Sequence, residues 1–113
     1  MNNQKNIVLC GVGGQGTVLA SKLLAAAAMS KDIPVMSAET IGMAQRGGSV
    51  FSHLRMGDNL YSPMIETGTA DLIIGFEPGE TVRMLPYLKD HGHIVVSTRA
   101  VKPVTATLSG SDY

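Results

Sequence analysis

The fold of this chain is decided by the stretch Ile7-Val8-Leu9-Cys10-Gly11-Val12-Gly13-Gly14-Gln15-Gly16. The short apolar run at its start predicts a buried strand. The Ala- and Leu-rich segment that follows, from about residue 15 to residue 30, predicts a helix so nearly apolar that more than one of its sides should be covered. Strand, glycine turn and helix in this order are typical of a nucleotide-binding α/β fold.

The glycine turn is the first candidate site, and its members are Gly11, Gly13, Gly14, Gln15 and Gly16. Glycine suits such a turn because it adopts backbone angles closed to other residues and lets a neighbouring group approach closely. The helix that follows begins with unpaired N–H groups and a positive dipole end, and both favour an anion. Two interpretations stay open: the turn binds a dinucleotide, or its glycines only let the first helix pack against the first strand.

Two further candidate positions follow a predicted strand at residues 35–38. Glu39 stands near the place where a dinucleotide-binding fold has an acidic residue for the ribose hydroxyls, although a solvated or capping glutamate explains it equally well. The loop containing Arg46, Gly47 and Gly48 combines a forked donor with exposed backbone N–H groups, which suits a phosphate or carboxylate. A structural arginine between loops, or a contact to another subunit, accounts for the same residues.

The chain beyond residue 48 predicts more strands than helices. Residues 49–56 alternate as a half-buried strand, and the turn Gly57-Asp58-Asn59 leads to residues 61–65 as its antiparallel partner. Residues 70–76 predict a fully buried strand, residues 92–97 the last clear strand, and residues 102–108 an edge strand.

One more helix is expected to begin at Glu77-Pro78 and to break after Met84, because Pro86 cannot continue it. Its buried side is expected to consist of the apolar residues Val82, Leu85 and Leu88.

Composition excludes several classes of function. Nine Lys/Arg balance nine Asp/Glu, so no charge excess favours nucleic acid or a membrane surface as partner. No apolar run approaches the roughly 20 residues of a membrane span, and no signal peptide is seen, so we expect a cytoplasmic protein. Cys10 is the single cysteine, so an internal disulfide is impossible and we expect a buried thiol. His91 and His93 have no third ligand nearby, and we predict no metal site.

These elements predict one domain over residues 1–113 with a three-layer, Rossmann-like α/β fold. The sheet is expected to be mixed but mostly parallel. No helix follows the last predicted strands, so we expect the domain to be incomplete at its C-terminal end or to rely on a partner.

An ordered set of motifs resembles the gamma-type domain of the 2-oxoacid:ferredoxin oxidoreductases. The set runs from about residue 7 to residue 104, and it consists of the glycine turn, Glu39 with Gly42-Met43-Ala44-Gln45-Arg46-Gly47-Gly48-Ser49-Val50, Tyr61-Ser62-Pro63, Gly75-Phe76-Glu77-Pro78 and Leu85-Pro86-Tyr87-Leu88. Within that superfamily, the sequence at residues 42–50 and 75–78 is most similar to the small (beta) subunit of indolepyruvate ferredoxin oxidoreductases. That subunit normally continues well beyond residue 113.

The resemblance implies an accessory subunit of an enzyme complex. Such complexes oxidatively decarboxylate aryl 2-oxoacids, pass two electrons to ferredoxin and transfer the acyl group to coenzyme A. Thiamine diphosphate and iron–sulfur clusters are then expected in a larger partner subunit, and none is expected to be held by this chain alone. The glycine turn and the Arg46 loop would contact ligand or partner. The alternative is a stand-alone nucleotide-binding module that uses the Gly11-x-Gly13-x-x-Gly16 turn.

Overall fold

The structure is a computed structural model that describes residues 4–12, 16–41 and 49–97. In chain order its elements are β1 (Lys5–Val12), α1 (Thr17–Ser30), β2 (Val35–Ile41), β3 (Ser49–Met56), β4 (Ala70–Gly75), α2 (Pro78–Met84), a 3-10 turn (Leu85–Tyr87) and β5 (Leu88–Val96). In these described ranges no helix is long and apolar enough to cross a bilayer.

The five strands form one sheet in the order β2-β3-β1-β4-β5. Strand β1 is parallel to β4 and β4 is parallel to β5, whereas β3 runs antiparallel to both of its neighbours, β1 and β2. Four strands therefore share one direction, which confirms the expectation of a mixed, mostly parallel sheet. The expected hairpin partner is wrong, because residues 61–65 form no strand. Strand β3 already makes full-length ladders on both of its edges, so no edge is left for that segment.

Strand β3 is buried on both faces, not on one as its alternating pattern predicted. Ser52, His53 and Leu54 are all fully buried although they are consecutive and point to opposite faces. Helix α1 covers β1, β2 and β3 on one face. On the other face, the Ile65 N–H and the Tyr87 ring both contact the His53 side chain. The burial follows from the position of β3 inside the sheet, between two other strands, which its residue pattern does not reveal.

The two helices lie on opposite faces of the sheet. The α2 face carries a core of Val8, Cys10 and Ile73, with Ile65 and Ala70 beside them. Leu9 and Leu54 alternate with those positions and point to the other face, where α1 contacts β1 and β3. The arrangement is therefore helix, sheet, helix, as the three-layer prediction requires.

Helix α1 turns its small polar residues toward the sheet. Thr17 and Ser21 are buried, whereas Leu19 and Leu23 are 61% and 62% exposed. The sheet supplies the large side chains on this face, so small residues on the helix allow close packing. The expected cover on a second side of α1 is not seen in the described part of the chain.

The start and end of α2 are confirmed, but its predicted buried side is wrong at Val82 and Leu85; Leu88 does pack against the core, as the first residue of β5. Glu77 is the N-cap, Pro78 takes the first helical position, and the α-helix gives way to the 3-10 turn after Met84. Val82 and Leu85 are 63% and 42% exposed, and the buried residues of the helix are Glu80 and Thr81. Gly75 explains this rotation, because its missing side chain leaves the room that Thr81 occupies.

The bounds of two strands differ from the expected ones. Strand β2 extends to Ile41, so Glu39 lies inside it, and β5 begins at Leu88, so His91 and His93 are exposed strand residues. The turn at Gly57-Asp58-Asn59 is confirmed, with positive φ at Gly57 (122°) and Asn59 (61°). The predicted edge strand at residues 102–108 lies outside the described residues.

His53 ties the loop after β3 to the middle of the sheet. Its Nδ1 accepts a hydrogen bond of 2.8 Å from the backbone N–H of Ile65, and its ring meets Tyr87 edge-on at 5.3 Å between centroids. An Nδ1 that accepts cannot carry a proton, so the observed contact requires neutral histidine. Burial also lowers the pKa of His53 below its ordinary value of 6.5.

We expect this histidine to make the folded chain less stable in mild acid. The unfolded state binds the His53 proton more readily than the folded state, so the free energy of unfolding falls as the pH drops from 8 through the unfolded pKa of 6.5. The slope is at most about 1.4 kcal/mol per pH unit for one proton. Urea unfolding at pH 8 and pH 5.5 measures the loss, and NMR titration of the His53 ring should give a pKa below 6.5. A His53 pKa at or above 6.5 would contradict this account.

We expect Gly75→Ala to destabilise the protein. A Cβ at this position would overlap the Thr81 Oγ1 and lie 2.9 Å from the Thr81 Cβ. Overpacking of this kind costs about 1–3 kcal/mol. Urea unfolding of Gly75→Ala, Thr81→Ala and the double variant forms the test, and the double variant should lose less stability than the two single losses together. Strict additivity would show that the two residues do not press on each other.

Candidate functional site

The carboxyl ends of β1, β4 and β5 meet at one edge of the sheet. The Phe76 N–H donates to the Cys10 carbonyl at 2.8 Å, and the Ser97 N–H donates to the Gly75 carbonyl at 2.9 Å. The glycine turn after β1 and Glu77 after β4 therefore start from neighbouring strands. One connection leads to α1 on one face and the other leads to α2 on the opposite face. Open α/β sheets bind ligands in the crevice at such a reversal of connections.

The N-terminus of α1 provides hydrogen-bond donors on one side of this crevice. Gly16 is the N-cap with φ +83° and ψ 15°, and no side chain among the described residues caps the helix. An added Cβ at Gly16 would meet no atom of the described residues within 4 Å, and its positive φ requires glycine there. Thr17, the first helical residue, is 3% exposed, and its Oγ1 makes no hydrogen bond to any part of the chain that the structure describes. First-turn N–H groups and this hydroxyl are suitable donors to an anion.

Gly11 was expected in the glycine turn, but it lies within β1. It is buried and pairs with Val50 of β3, and the strand continues to Val12. The turn therefore begins after Val12. The other members of the two predicted sites, Gly13, Gly14, Gln15, Arg46, Gly47 and Gly48, lie outside the described residues.

Glu39 is separated from β1 by a whole strand. It is exposed on β2, in register with Ser52 of β3, and β3 lies between β2 and β1. Two strand spacings amount to roughly 10 Å. In a dinucleotide-binding fold the strand carrying the acidic residue is the direct neighbour of the first strand. A ribose role for Glu39 stays a prediction, and this separation counts against it.

Residues after β4 form a buried polar cluster on the other side of the crevice. The fully buried Glu77 accepts the Glu80 N–H at its Oε1 at 2.8 Å, which caps α2. The Thr81 hydroxyl donates to the Glu77 carbonyl at 2.8 Å, and the Cys10 thiol donates to the Thr81 Oγ1 at 3.9 Å. The cluster thus joins the end of β1 to the first turn of α2.

Cys10 is a structural thiol in this cluster. Burial, with smaller contributions from the Glu80 and Glu77 carboxylates, raises the pKa of Cys10 to about 11 against the opposing hydrogen bond to Thr81. The thiol therefore stays protonated at neutral pH, and a protonated thiol is a poor nucleophile and metal ligand. The expectation of a buried cysteine is confirmed.

Sequence reasoning missed Thr17, Glu80 and Thr81 as parts of this edge. The signal for Glu77 was present, since Glu-Pro at a helix start indicates an N-cap followed by proline. No comparable signal marks the other three, because their burial depends on which strand each helix crosses. Within the ranges that the structure describes, no group of three His, Cys, Asp or Glu side chains could hold a metal ion.

Comparison with known proteins identifies the family of this chain. Residues 6–112 match the pyruvate ferredoxin/flavodoxin oxidoreductase family. Two proteins named indolepyruvate oxidoreductase subunit IorB, from Methanothermobacter thermautotrophicus and Archaeoglobus fulgidus, are 42% and 44% identical over 108 residues. These alignments cover 96% of this chain and 55% and 53% of the relatives, so the chain spans about half the length of the curated relatives it matches.

More distant relatives have the same type of domain. The pyruvate/ketoisovalerate oxidoreductases common subunit gamma of Thermococcus kodakarensis is 31% identical over 94 residues, covering 81% of this chain and 51% of that protein.

Two solved structures share the fold. The 2-oxoglutarate:ferredoxin oxidoreductase of Magnetococcus marinus superposes with a TM-score of 0.75 at 19% identity, over 100% of this chain and 18% of that one. The keto/oxoacid ferredoxin oxidoreductase gamma subunit of Geobacter sulfurreducens gives 0.63 at 23% identity, over 89% and 57%. By sequence and by fold, this chain belongs to the pyruvate ferredoxin/flavodoxin oxidoreductase family.

Proposed function

We propose that this chain acts as the small, gamma-type part of an indolepyruvate:ferredoxin oxidoreductase. The observation that carries the proposal is the 41–44% identity to four IorB subunits over 96% of the chain. Identity to the gamma subunits of pyruvate/ketoisovalerate oxidoreductases is 30–31%, over 81% of the chain. An aryl 2-oxoacid is therefore the favoured substrate class.

The proposed reaction converts the 2-oxoacid and coenzyme A to acyl-coenzyme A and carbon dioxide. The carboxylate carbon leaves as carbon dioxide, the acyl carbon forms a thioester, and two electrons pass to ferredoxin with release of the thiol proton. A larger partner subunit supplies the thiamine diphosphate and the iron–sulfur clusters. The composition of this chain supports that division, since one cysteine cannot provide the four ligands of a cluster.

We propose that this chain contributes at the crevice between β1 and β4. The start of α1 and the Thr17 hydroxyl, neither of which has a side-chain partner among the described residues, are suited to a phosphate group such as the diphosphate of coenzyme A. The glycine turn and the Arg46 loop are proposed to contact that ligand or the larger subunit. No nucleophile is needed from this chain, which is consistent with the protonated, buried Cys10.

A second candidate function uses the same groups. The uncapped helix start also fits a nucleotide bound by this chain alone, as a stand-alone binding module. The two functions differ in one measurable property: the subunit works only in the complex, whereas the module binds NAD or another nucleotide when isolated.

We expect indolepyruvate-dependent reduction of ferredoxin or viologen to require this chain together with the larger, thiamine-bearing subunit. Arg46→Ala should lower the rate about ten-fold or more, as loss of a charge-assisted contact does. Thr17→Val should raise the KM for coenzyme A about three-fold without loss of stability, because its Oγ1 has no hydrogen bond in the structure to lose.

Arg83→Ala is the matched control, since this arginine is exposed in the last turn of α2. Its activity should equal that of the unchanged chain. Absence of a complex and of any dependence on the chain, also when it is extended to the length of its relatives, would rule out the subunit function. Binding of NAD by the isolated chain would then favour the nucleotide module.

A further inference from the structure

A polar cavity of about 440 Å³ lies at the end of the sheet opposite the carboxyl ends of β1, β4 and β5. It is formed where β1, β4 and β5 begin and where the antiparallel β3 ends. Its charged and amide side chains are Gln4, Asn6, Arg55, Glu66, Asp71 and Lys89. The volume falls within the range of roughly 300–1,000 Å³ that is usual for small-molecule sites.

Two of the four charges in this cavity neutralise each other. Lys89 Nζ forms an ion pair with Asp71 Oδ1, and Asp71 Oδ2 accepts the backbone N–H of Asn6 at 2.8 Å. Burial alone would raise the pKa of Asp71, but the hydrogen bonds from Lys89 and Asn6 outweigh it and lower that pKa. Asp71 is therefore ionised at neutral pH, and this pair forms a wall of the cavity with no net charge.

The Arg55 guanidinium has only neutral partners. Its Nε donates to Asn6 Oδ1 at 3.0 Å, its Nη1 to the Ser62 carbonyl at 2.9 Å, and its Nη2 to Gln4 Oε1 at 3.1 Å. These bonds use three of its five N–H donors. Within the described residues no carboxylate lies at ion-pair distance from this half-buried cation. Among the described residues, the positive charge of Arg55 therefore has no ion-pair partner.

Glu66 contributes a negative charge to the same cavity. Its backbone carbonyl accepts both the N–H and the hydroxyl of Thr69, at 3.2 Å and 2.6 Å. In the part of the chain that the structure describes, its exposed carboxylate has neither a hydrogen bond nor an ion pair. The cavity therefore presents one unpaired cation and one unpaired anion.

We propose that this cavity binds a small zwitterion of the amino-acid type, with its carboxylate on Arg55 and its ammonium group on Glu66. A simple anion would meet the carboxylates of Glu66 and Asp71, and a simple cation would meet Arg55 and Lys89. A molecule with both charges supplies the two missing counter-charges at once. This inference does not depend on the proposed function, because the cavity is at the other end of the sheet.

The test is a binding series with the intact chain at low ionic strength, where exposed charges are least screened. Glycine, β-alanine and 4-aminobutyrate are the probes, because they increase the separation between ammonium and carboxylate. Acetate and methylammonium serve as the two half-molecules. Calorimetry gives the affinity, and the NMR shifts of the Gly68 and Thr69 amides, which line the cavity, locate the site.

We expect at least one zwitterion to bind more tightly than either half-molecule and to shift these two amides. Glu66→Gln should weaken that zwitterion about three- to five-fold, as expected for an exposed ion pair, and should not weaken acetate, because it removes a negative charge from the cavity. The variant should remain folded, because the Glu66 carboxylate contacts no partner in the described structure. Asp32→Asn, at an exposed carboxylate in the turn after α1, is the matched control and should change nothing.

Three results would overturn the proposal. The first is that no zwitterion binds across the series. The second is that acetate binds as tightly as the best zwitterion, which would indicate a simple anion site at Arg55. The third is that Glu66→Gln leaves the zwitterion affinity unchanged.

Discussion

The pairing of β3 between β1 and β2 is the constraint on which the rest of this structure depends. Strand β3 is antiparallel to both neighbours and hydrogen-bonded along its whole length. Its position inside the sheet, between two strands, leaves Ser52, His53 and Leu54 fully buried, and α1 lies across three strands. It also moves β2 one strand away from β1, which removes Glu39 from the place next to the glycine turn.

The reversed direction of β3 also gives the two ends of the sheet different characters. At the carboxyl ends of the parallel strands, the two connections lead to opposite faces of the sheet. The start of α1 and the buried polar cluster around Glu77 therefore both lie at this end of the sheet. At the other end, β3 finishes beside the beginnings of β1 and β2, so Arg55 reaches Asn6. A fully parallel sheet would have placed the residues of that strand end at the opposite edge.

Buried polar groups hold the elements together at defined points. His53 fixes the loop at Ile65, and Glu77 caps α2. The thiol of Cys10 and the hydroxyl of Thr81 connect β1 to α2. Each of these groups would be costly to bury alone, and its hydrogen bond reduces that cost. The positions of the helices and loops are therefore specified by a few directional contacts in addition to apolar packing.

Local features were determined by the sequence alone. The apolar run before the glycines, the left-handed angle at Gly16 and the Glu77-Pro78 helix start each follow from neighbours along the chain. The sheet was expected to be mixed because residues 61–65 were to pair with β3; the sheet is mixed, but the antiparallel partners of β3 are β1 and β2. The family resemblance was also visible in motif order, and the family match confirms it.

The tertiary structure alone decided which groups meet in space. The residue pattern predicted Val82 on the buried side of α2, but it is exposed, and in α1 the polar Thr17 and Ser21 are buried whereas Leu19 and Leu23 are exposed. The reason is that a helix turns toward whatever space the sheet leaves, such as the gap above Gly75, and that space depends on strand order. Arg55, Glu66 and Asp71 share a cavity for the same reason, since the direction of β3 is set by long-range pairing and not by its own residues.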